Sequence, residues 1–294
     1  MLSIKHEQLT ATINPLGAEL SSLRSQGQEY LWQGDETVWS GRAPILFPIV
    51  GTLANNRMSY RGKTYHMPRH GIAHTATFNC IDQTESKITM QLRSDTQLLQ
   101  RYPWKFNLNV HFSLKSDTLS ITYEVMNLDS DTMIFTLGSH PAFNLPLTDS
   151  TSKELSISDF DILFNRPENL QRILLGGDGL LATNSCAFEL ENNTIKLSDT
   201  LFNQDALVFK NIESNQIVLR SNQEPRLSVN TGGAPHLGIW AKPGARYVCI
   251  EPWYGISDYS DSDGDFEKKS DMLSLQPKET FSHTICVTIA PHHP

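Results

Sequence analysis

The sequence predicts an all-β protein built as a large sandwich of antiparallel sheets. Apolar residues alternate with polar ones at every second position in many short segments, which is the period of a half-buried strand. Clusters of Gly, Asn, Asp and Pro separate these segments along the whole chain. Helical periods of ten residues or more are missing, so an alternating strand–helix nucleotide fold is not expected.

The clearest alternation predicts a hairpin between Phe106 and Val125. Apolar residues occupy every second position from Phe106 to Leu114 and again from Leu119 to Val125, around a short polar turn. Further strand-like segments are 88–92, 133–137, 206–209, 217–219, 247–250 and 281–289. One short helix is predicted over 94–101, with Ser94 or Asp95 as its N-cap.

Length and composition set the remaining bounds. The chain has 294 residues without a linker or composition break, which predicts one domain over 1–294, with a two-domain β protein as the alternative. Its net charge of −8 and the lack of a basic run make nucleic acid a poor candidate partner.

A second set of observations concerns the compartment. No segment approaches the roughly 20 apolar residues of a membrane span, and the N-terminus lacks a signal-peptide pattern. The four cysteines lie far apart, without metal-ligand spacing, and are expected to be buried thiols in a reducing compartment. We therefore expect a cytoplasmic protein without a membrane partner.

Three segments gather polar residues that could carry chemistry: 67–74, 137–145 and 247–255. In the third, Glu251 ends an apolar strand, where burial disfavours its charge, so it could act as a general base; a strand-end glutamate paired with an arginine is the structural alternative. The aromatic ring of Trp253 beside it suits the apolar face of a sugar.

The histidines of the other two segments leave alternatives open. His140 stands before a proline that fixes the chain direction, which suits either a partly buried structural residue or a catalyst. His70 and His74 have the HxxxH spacing, but Pro68 and Gly71 argue against the helix that a chelating pair needs, so no metal is expected. Serine-nucleophile, phosphate-binding and dinucleotide motifs are absent from the sequence.

Six short segments follow one another along the chain: Asn14–Leu20, Arg42–Gly51, Gly62–Tyr65, His70–Ala73, Ser139–Leu145 and Ile250–Gly255. In this order they resemble the aldose 1-epimerase (galactose mutarotase-like) superfamily, and its LacX-type branch most closely. The resemblance covers essentially the whole chain.

The resemblance implies a β-supersandwich fold. It also implies an enzyme that opens and recloses the hemiacetal ring of a sugar without a cofactor. It implies that Glu251 takes the proton of the anomeric hydroxyl, that His140 is the acid toward the ring oxygen, and that His70 polarises that oxygen. It also implies substrate binding by Arg42 (with Arg57 as a rival) and by Asp205, as the carboxylate that binds sugar hydroxyls. Trp253, for its aromatic face, and His74, which stands where many relatives have an arginine, are further candidate substrate-binding residues.

One departure bears on the substrate. Many relatives, including hexose-6-phosphate epimerases, have an arginine where this chain has His74, and a mostly neutral imidazole lacks the bidentate fork that suits phosphate. The sequence therefore predicts an isomerase that acts on a free hexose such as galactose or glucose. A hexose-6-phosphate 1-epimerase and a non-catalytic carbohydrate-binding or sensor protein are the alternatives.

Overall fold

Two large antiparallel sheets dominate the fold, which confirms the predicted all-β class. The structure is a computed structural model that describes residues 1–145 and 155–291. Within them the strands are β1 (Leu2–His6), β2 (Leu9–Asn14), β3 (Glu19–Ser25), β4 (Gln28–Glu29), β5 (Ile45–Leu46), β6 (Arg57–Tyr60), β7 (Lys63–His66), β8 (Asn79–Gln83), β9 (Lys87–Arg93), β10 (Phe106–Lys115), β11 (Thr118–Asn127), β12 (Met133–Phe135), β13 (Leu137–Ser139), β14 (Ala142–Asn144), β15 (Phe160–Phe164), β16 (Gln171–Leu175), β17 (Leu181–Ala187), β18 (Thr194–Lys196), β19 (Leu207–Lys210), β20 (Gln216–Ser221), β21 (Glu224–Asn230), β22 (His236–Trp240), β23 (Tyr247–Tyr254), β24 (Leu273–Leu275) and β25 (Thr280–Ile289).

The nine-stranded sheet has the order β18-β15-β20-β21-β25-β11-β10-β9-β8. The second large sheet has the order β17-β16-β19-β22-β23-β13-β5, and β14 also pairs with β23. Buried apolar residues of both sheets, such as Val110 and Ile250, belong to one continuous core. A smaller apolar cluster that includes Val208 and Trp253 lies under the site described below.

The predicted hairpin is confirmed. β10 and β11 pair antiparallel from Phe106 opposite Asn127 to Lys115 opposite Thr118, and buried side chains alternate along both strands. The strands predicted at 88–92, 217–219, 247–250 and 281–289 are confirmed within β9, β20, β23 and β25, and 206–209 largely coincides with β19.

Helical structure is confined to single turns in the described residues. The predicted helix is α1 (Thr96–Leu99), and its N-cap is Asp95, whose carboxylate accepts hydrogen bonds from the amides of Gln97 and Leu98. Short 3₁₀ turns are Ala54–Asn56, Ala73–Thr75 and Ile157–Asp159. None of these turns has the length and apolarity that a membrane crossing demands.

The prediction of four buried thiols is wrong for two of them. Cys249 is buried, but Cys80 and Cys186 are exposed and Cys286 is half-buried, and all four are free. Cys80 lies on β8 and Cys186 on β17, which are edge strands of the two large sheets. An edge strand has a neighbour on one side only, so its side chains are covered less than those of a central strand.

Candidate active site

The centre of the site is β23, where Glu251 and Trp253 face the same side because strand side chains alternate. β22 and β13 flank this strand, so its backbone groups are paired on both sides. Glu251 is only 1% exposed. The sheet therefore holds a carboxylate in a nearly water-free position, which the sequence indicated by the apolar run before it.

His140 is brought to Glu251 by strand register. The short strands β13 and β14 both pair antiparallel with β23, one on each side of His140 along the chain. The pairs nearest to His140 are Gly138 with Trp253 and Ala142 with Cys249. His140 lies midway between the two pairs, and Glu251 is the residue midway on β23. The two side chains meet, with His140 Nε2 3.3 Å from Glu251 Oε2.

This contact leaves polar atoms of both residues free to form hydrogen bonds with a ligand. The two atoms approach closely without the alignment of a hydrogen bond, and both Glu251 Oε2 and His140 Nδ1 are buried without a hydrogen-bond partner. Buried polar atoms in a folded protein are normally satisfied, and exceptions mark strained or functional positions. The pair is thus open to a substrate that supplies a donor and an acceptor.

Burial favours the neutral form of both groups. It raises the pKa of Glu251 well above its usual value, which the positive charge of Arg69 opposes. Burial also lowers the pKa of His140 to about 3. Burial therefore favours one exchangeable proton, on the carboxyl group, over an ion pair of carboxylate and imidazolium.

His70 is held by two bonds to one glycine. Its amide donates to the Gly51 carbonyl at 2.7 Å, and the Gly51 amide donates to His70 Nδ1 at 3.2 Å. The loop turns here with positive φ at His70 (65°) and Gly71 (79°), and a Cβ at Gly71 would overlap the Phe47 carbonyl. The rings of His70 and His140 lie 5.6 Å apart, so both imidazoles face the same space.

Two donors face the ring nitrogens of His70. The Gly51 amide donates to Nδ1 at 3.2 Å, and Arg69 Nε donates to Nε2 at 3.3 Å. A neutral imidazole accepts at one ring nitrogen only, so the two hydrogen bonds are alternatives. The Arg69 guanidinium therefore lies directly beside His70 in the wall of the cavity.

Aromatic and acidic side chains complete the cavity. Trp39 stacks on the His140 ring at 5.0 Å, and Trp240 meets that ring edge-on at 5.9 Å. Asp205 also lines the cavity, and its carboxylate accepts a hydrogen bond from the Ala206 amide at 2.8 Å.

A buried arginine anchors the loop that carries Asp205. Arg172, which is 8% exposed, donates to the backbone carbonyls of Gln204 at 2.9 Å and Asp205 at 3.3 Å. Asp205 itself has a positive φ of 63°, so the chain turns sharply there. Arg172 therefore positions the loop without lining the cavity.

Two glycines make room for Trp253. Its indole lies across the neighbouring strands, where a Cβ at Gly138 would come within 2.6 Å of Cδ1 and a Cβ at Gly238 would overlap the six-membered ring. The indole therefore lies flat against the sheet and forms part of the cavity wall.

Five of the seven predicted site residues line one cavity of about 320 Å³: Glu251, His140, His70, Asp205 and Trp253. His74 lines an adjoining second cavity, also of about 320 Å³, which shares Trp39, His70 and His140 with the first. The other residues around the second cavity are Glu19, Ser40, Gly41 and Pro44. The two cavities adjoin at these three shared side chains, and together they are called the cleft.

The structure does not bring the predicted arginines into the cleft. Arg42 lines neither cavity, and its guanidinium packs beside Gly34, while Arg57 is exposed at the start of β6. Arg69 lines the first cavity instead. Sequence reasoning missed it, although it directly precedes His70; Trp39 and Trp240 gave no signal beyond their aromatic character.

One group of possible metal ligands exists in the described part of the chain: His140, Cys249 and Glu251, whose ligand atoms lie within 4.8 Å of one another. Ligand atoms of a tetrahedral zinc site lie roughly 3.3–3.8 Å apart. Burial also raises the pKa of the Cys249 thiol well above its usual value, so it stays protonated. The absence of a metal remains a prediction.

The sequence profile of the aldose 1-epimerase family matches residues 1–288. The chain belongs to the aldose 1-epimerase family. It is 30% identical over 299 residues to the plasmid-encoded Protein LacX of Lactococcus lactis subsp. lactis, covering 98% of this chain and 99% of that protein. The resemblance to this family and to its LacX-type branch is thereby confirmed.

Solved structures of the same fold support this assignment. The galactose mutarotase related enzyme from Lactobacillus acidophilus is 36% identical, with a TM-score of 0.92 over 99% of this chain and 97% of that chain. A galactose mutarotase-like protein from Lactobacillus casei is 29% identical, with a TM-score of 0.89 over 99% of this chain and 100% of that chain. These similarities confirm the predicted galactose mutarotase-like fold.

Proposed function

We propose that this protein is an aldose 1-epimerase that interconverts the α and β anomers of a free hexose such as glucose or galactose. The observation that carries the proposal is the pair of His140 and Glu251, which lie 3.3 Å apart in the wall of a cavity because the strands on either side of His140 pair with β23. Membership of the aldose 1-epimerase family supports the same reaction class.

The reaction needs two proton transfers at neighbouring oxygens. For ring opening, Glu251 first passes its proton to His140 across their 3.3 Å contact. The ionised Glu251 then takes the proton from the anomeric hydroxyl while the protonated His140 delivers one to the ring oxygen, and the C1–O5 bond breaks. Rotation about C1–C2 presents the other face of the carbonyl, and the reverse transfers close the ring. After opening, the carboxyl group is protonated and the imidazole is neutral, which are the forms that burial favours at this pair.

The other side chains of the cavity orient the sugar. Arg69 and His70, which lie side by side, bind an oxygen at the ring-oxygen side, and the Asp205 carboxylate accepts hydrogen bonds from other hydroxyl groups. The flat indole of Trp253 supports the apolar face of the ring. In this proposal Arg69 takes the substrate-binding role that the resemblance gave to Arg42.

The second cavity bears on the choice between a free sugar and a sugar phosphate. In this proposal, O1 lies at Glu251 and O5 at His140, so the C6 substituent is directed toward the second cavity, which His140 also lines. Among the described residues, the lining of that cavity includes the Glu19 carboxylate and no lysine or arginine. Burial lowers the pKa of His74, so its ring is neutral as well. These features disfavour a phosphate at C6.

The proposal is tested by following freshly dissolved α-D-glucose and α-D-galactose by polarimetry, with exchange NMR on glucose 6-phosphate as the comparison. We expect faster equilibration of the free sugars, and Glu251→Gln and His140→Asn should each cost roughly two orders of magnitude or more in turnover. Sugar binding without a rate increase would instead support a carbohydrate-binding protein, and faster turnover of the phosphate would support the phosphosugar epimerase.

A further inference from the structure

The second cavity has no task in the conversion of a single pyranose. It is about as large as the first, near 320 Å³, and the ring that reacts at Glu251 occupies the first. Glu251 lines only the first cavity, whereas His70 and His140 line both. The two cavities therefore adjoin at these imidazoles.

The lining of this cavity has the chemistry of a sugar site. Trp39 supplies an aromatic wall that continues from the first cavity, and Ser40 supplies a hydroxyl. The Glu19 carboxylate is fixed because its Oε1 accepts the amides of Arg42 at 2.8 Å and Ala43 at 3.1 Å. Its second oxygen makes no hydrogen bond within the described residues and can accept from a hydroxyl group.

One further polar atom lacks a partner. His74 Nδ1 is buried without a hydrogen bond, and a buried polar atom of this kind is normally satisfied by protein, water or ligand. The cavity thus offers acceptors and an aromatic face, without a cationic side chain in its described lining.

We infer that the second cavity binds a neutral hexosyl unit attached to C6 of the reacting aldose, so that 6-linked reducing disaccharides are substrates. The inference rests on the proposed function, because it uses the position that His140 and Glu251 give to the reducing ring. The reducing unit reacts in the first cavity, and the second unit lies between Trp39 and Glu19.

The test compares gentiobiose, cellobiose and glucose, each dissolved fresh as a single anomer and followed by NMR. Gentiobiose and cellobiose contain the same two glucose units, joined through C6 and C4 respectively. We expect kcat/KM for gentiobiose to equal or exceed that for glucose. Failure to convert gentiobiose while glucose is converted would overturn the inference and leave the proposed function intact; failure with every sugar would remove both.

A blocking variant locates the effect. Ser40 is exposed at the rim of the second cavity, so Ser40→Trp should fill this space without disturbing the core, and Ser40→Ala is the matched control. We expect Ser40→Trp to lower kcat/KM for gentiobiose by about tenfold or more through lost contacts, with glucose and cellobiose unchanged. An equal loss on all three sugars would contradict a C6-specific site.

Discussion

His140 Nε2 lies 3.3 Å from Glu251 Oε2, although the two residues are far apart in sequence, because the strands on either side of His140 pair with the strand that carries Glu251. Burial favours a protonated Glu251 carboxyl group beside a neutral His140 imidazole. We therefore expect the pair to affect both the pH dependence of activity and the stability of the protein, and we expect the neighbouring Arg69 to bind substrate.

The plot of kcat/KM against pH should not fall on the acid side near pH 6.5, where an ordinary histidine is protonated. The folded-state pKa of His140 is lowered to about 3, so the imidazole stays neutral as the pH falls through 6.5, and the pair gains no second proton there. As the pH rises through the raised pKa of Glu251, the pair loses its single proton and the rate falls. Measured kcat/KM should show only this alkaline limb; an acid limb near pH 6.5 would contradict the assignment.

Glu251→Gln should lose activity and gain relative stability at high pH. The pKa of Glu251 is raised in the folded state, so its stabilising contribution is present below the unfolded-state pKa and is lost as the pH rises through the folded-state pKa. Glutamine has no such loss. Urea unfolding at pH 5 and pH 8 should show the variant gaining on the native protein at the higher pH.

The control for this measurement is Glu7→Gln, which changes an exposed carboxylate. Its unfolding free energy should differ little from that of the native protein at either pH. If Glu251→Gln follows the same course as Glu7→Gln, the carboxyl group is not buried in the way described.

Arg69→Met should weaken substrate binding, whereas Arg42→Met should not. Arg69 lines the first cavity beside His70, and Arg42 packs outside both cavities. A hydrogen bond from a charged group contributes about 1.5–3 kcal/mol, which corresponds to a rise in KM of roughly tenfold or more. Steady-state kinetics of both variants on one sugar decide the matter, and a larger KM effect in Arg42→Met would reverse the assignment.

Gly238→Ala should displace Trp253 and lower both activity and stability. The added Cβ would overlap the indole, which must then shift into the cavity. Overpacking of this kind costs about 1–3 kcal/mol. Gly177→Ala is a matched control, because nothing lies within 4 Å of a Cβ there and its φ is ordinary. Thermal unfolding and tryptophan fluorescence of the two variants provide the comparison.

The sequence predicted the positions of strands better than it predicted which strands pair with each other. Alternation is a local property, so the hairpin of β10 and β11 and the strand bearing Glu251 could be recognised directly. Which strands lie at a sheet edge depends on pairing between distant segments, and the exposure of Cys80 was missed for that reason.

The candidate site likewise contains residues that could be predicted and one that could not. The resemblance to the family named Glu251, His140 and His70, and the structure places all three around one cavity. It suggested Arg42 rather than Arg69, because the position of Arg69 depends on a left-handed turn at His70 that no local pattern announces.

The register that sets His140 opposite Glu251 also limits which length changes this chain can tolerate. Inserting or deleting one residue between β13 and β14 would shift one of their two pairings with β23 by one residue, and a one-residue shift inverts the side-chain direction. Natural or engineered variation in length should therefore be confined to loops distant from this segment. Point substitutions around it, in contrast, should leave the pairing register unchanged.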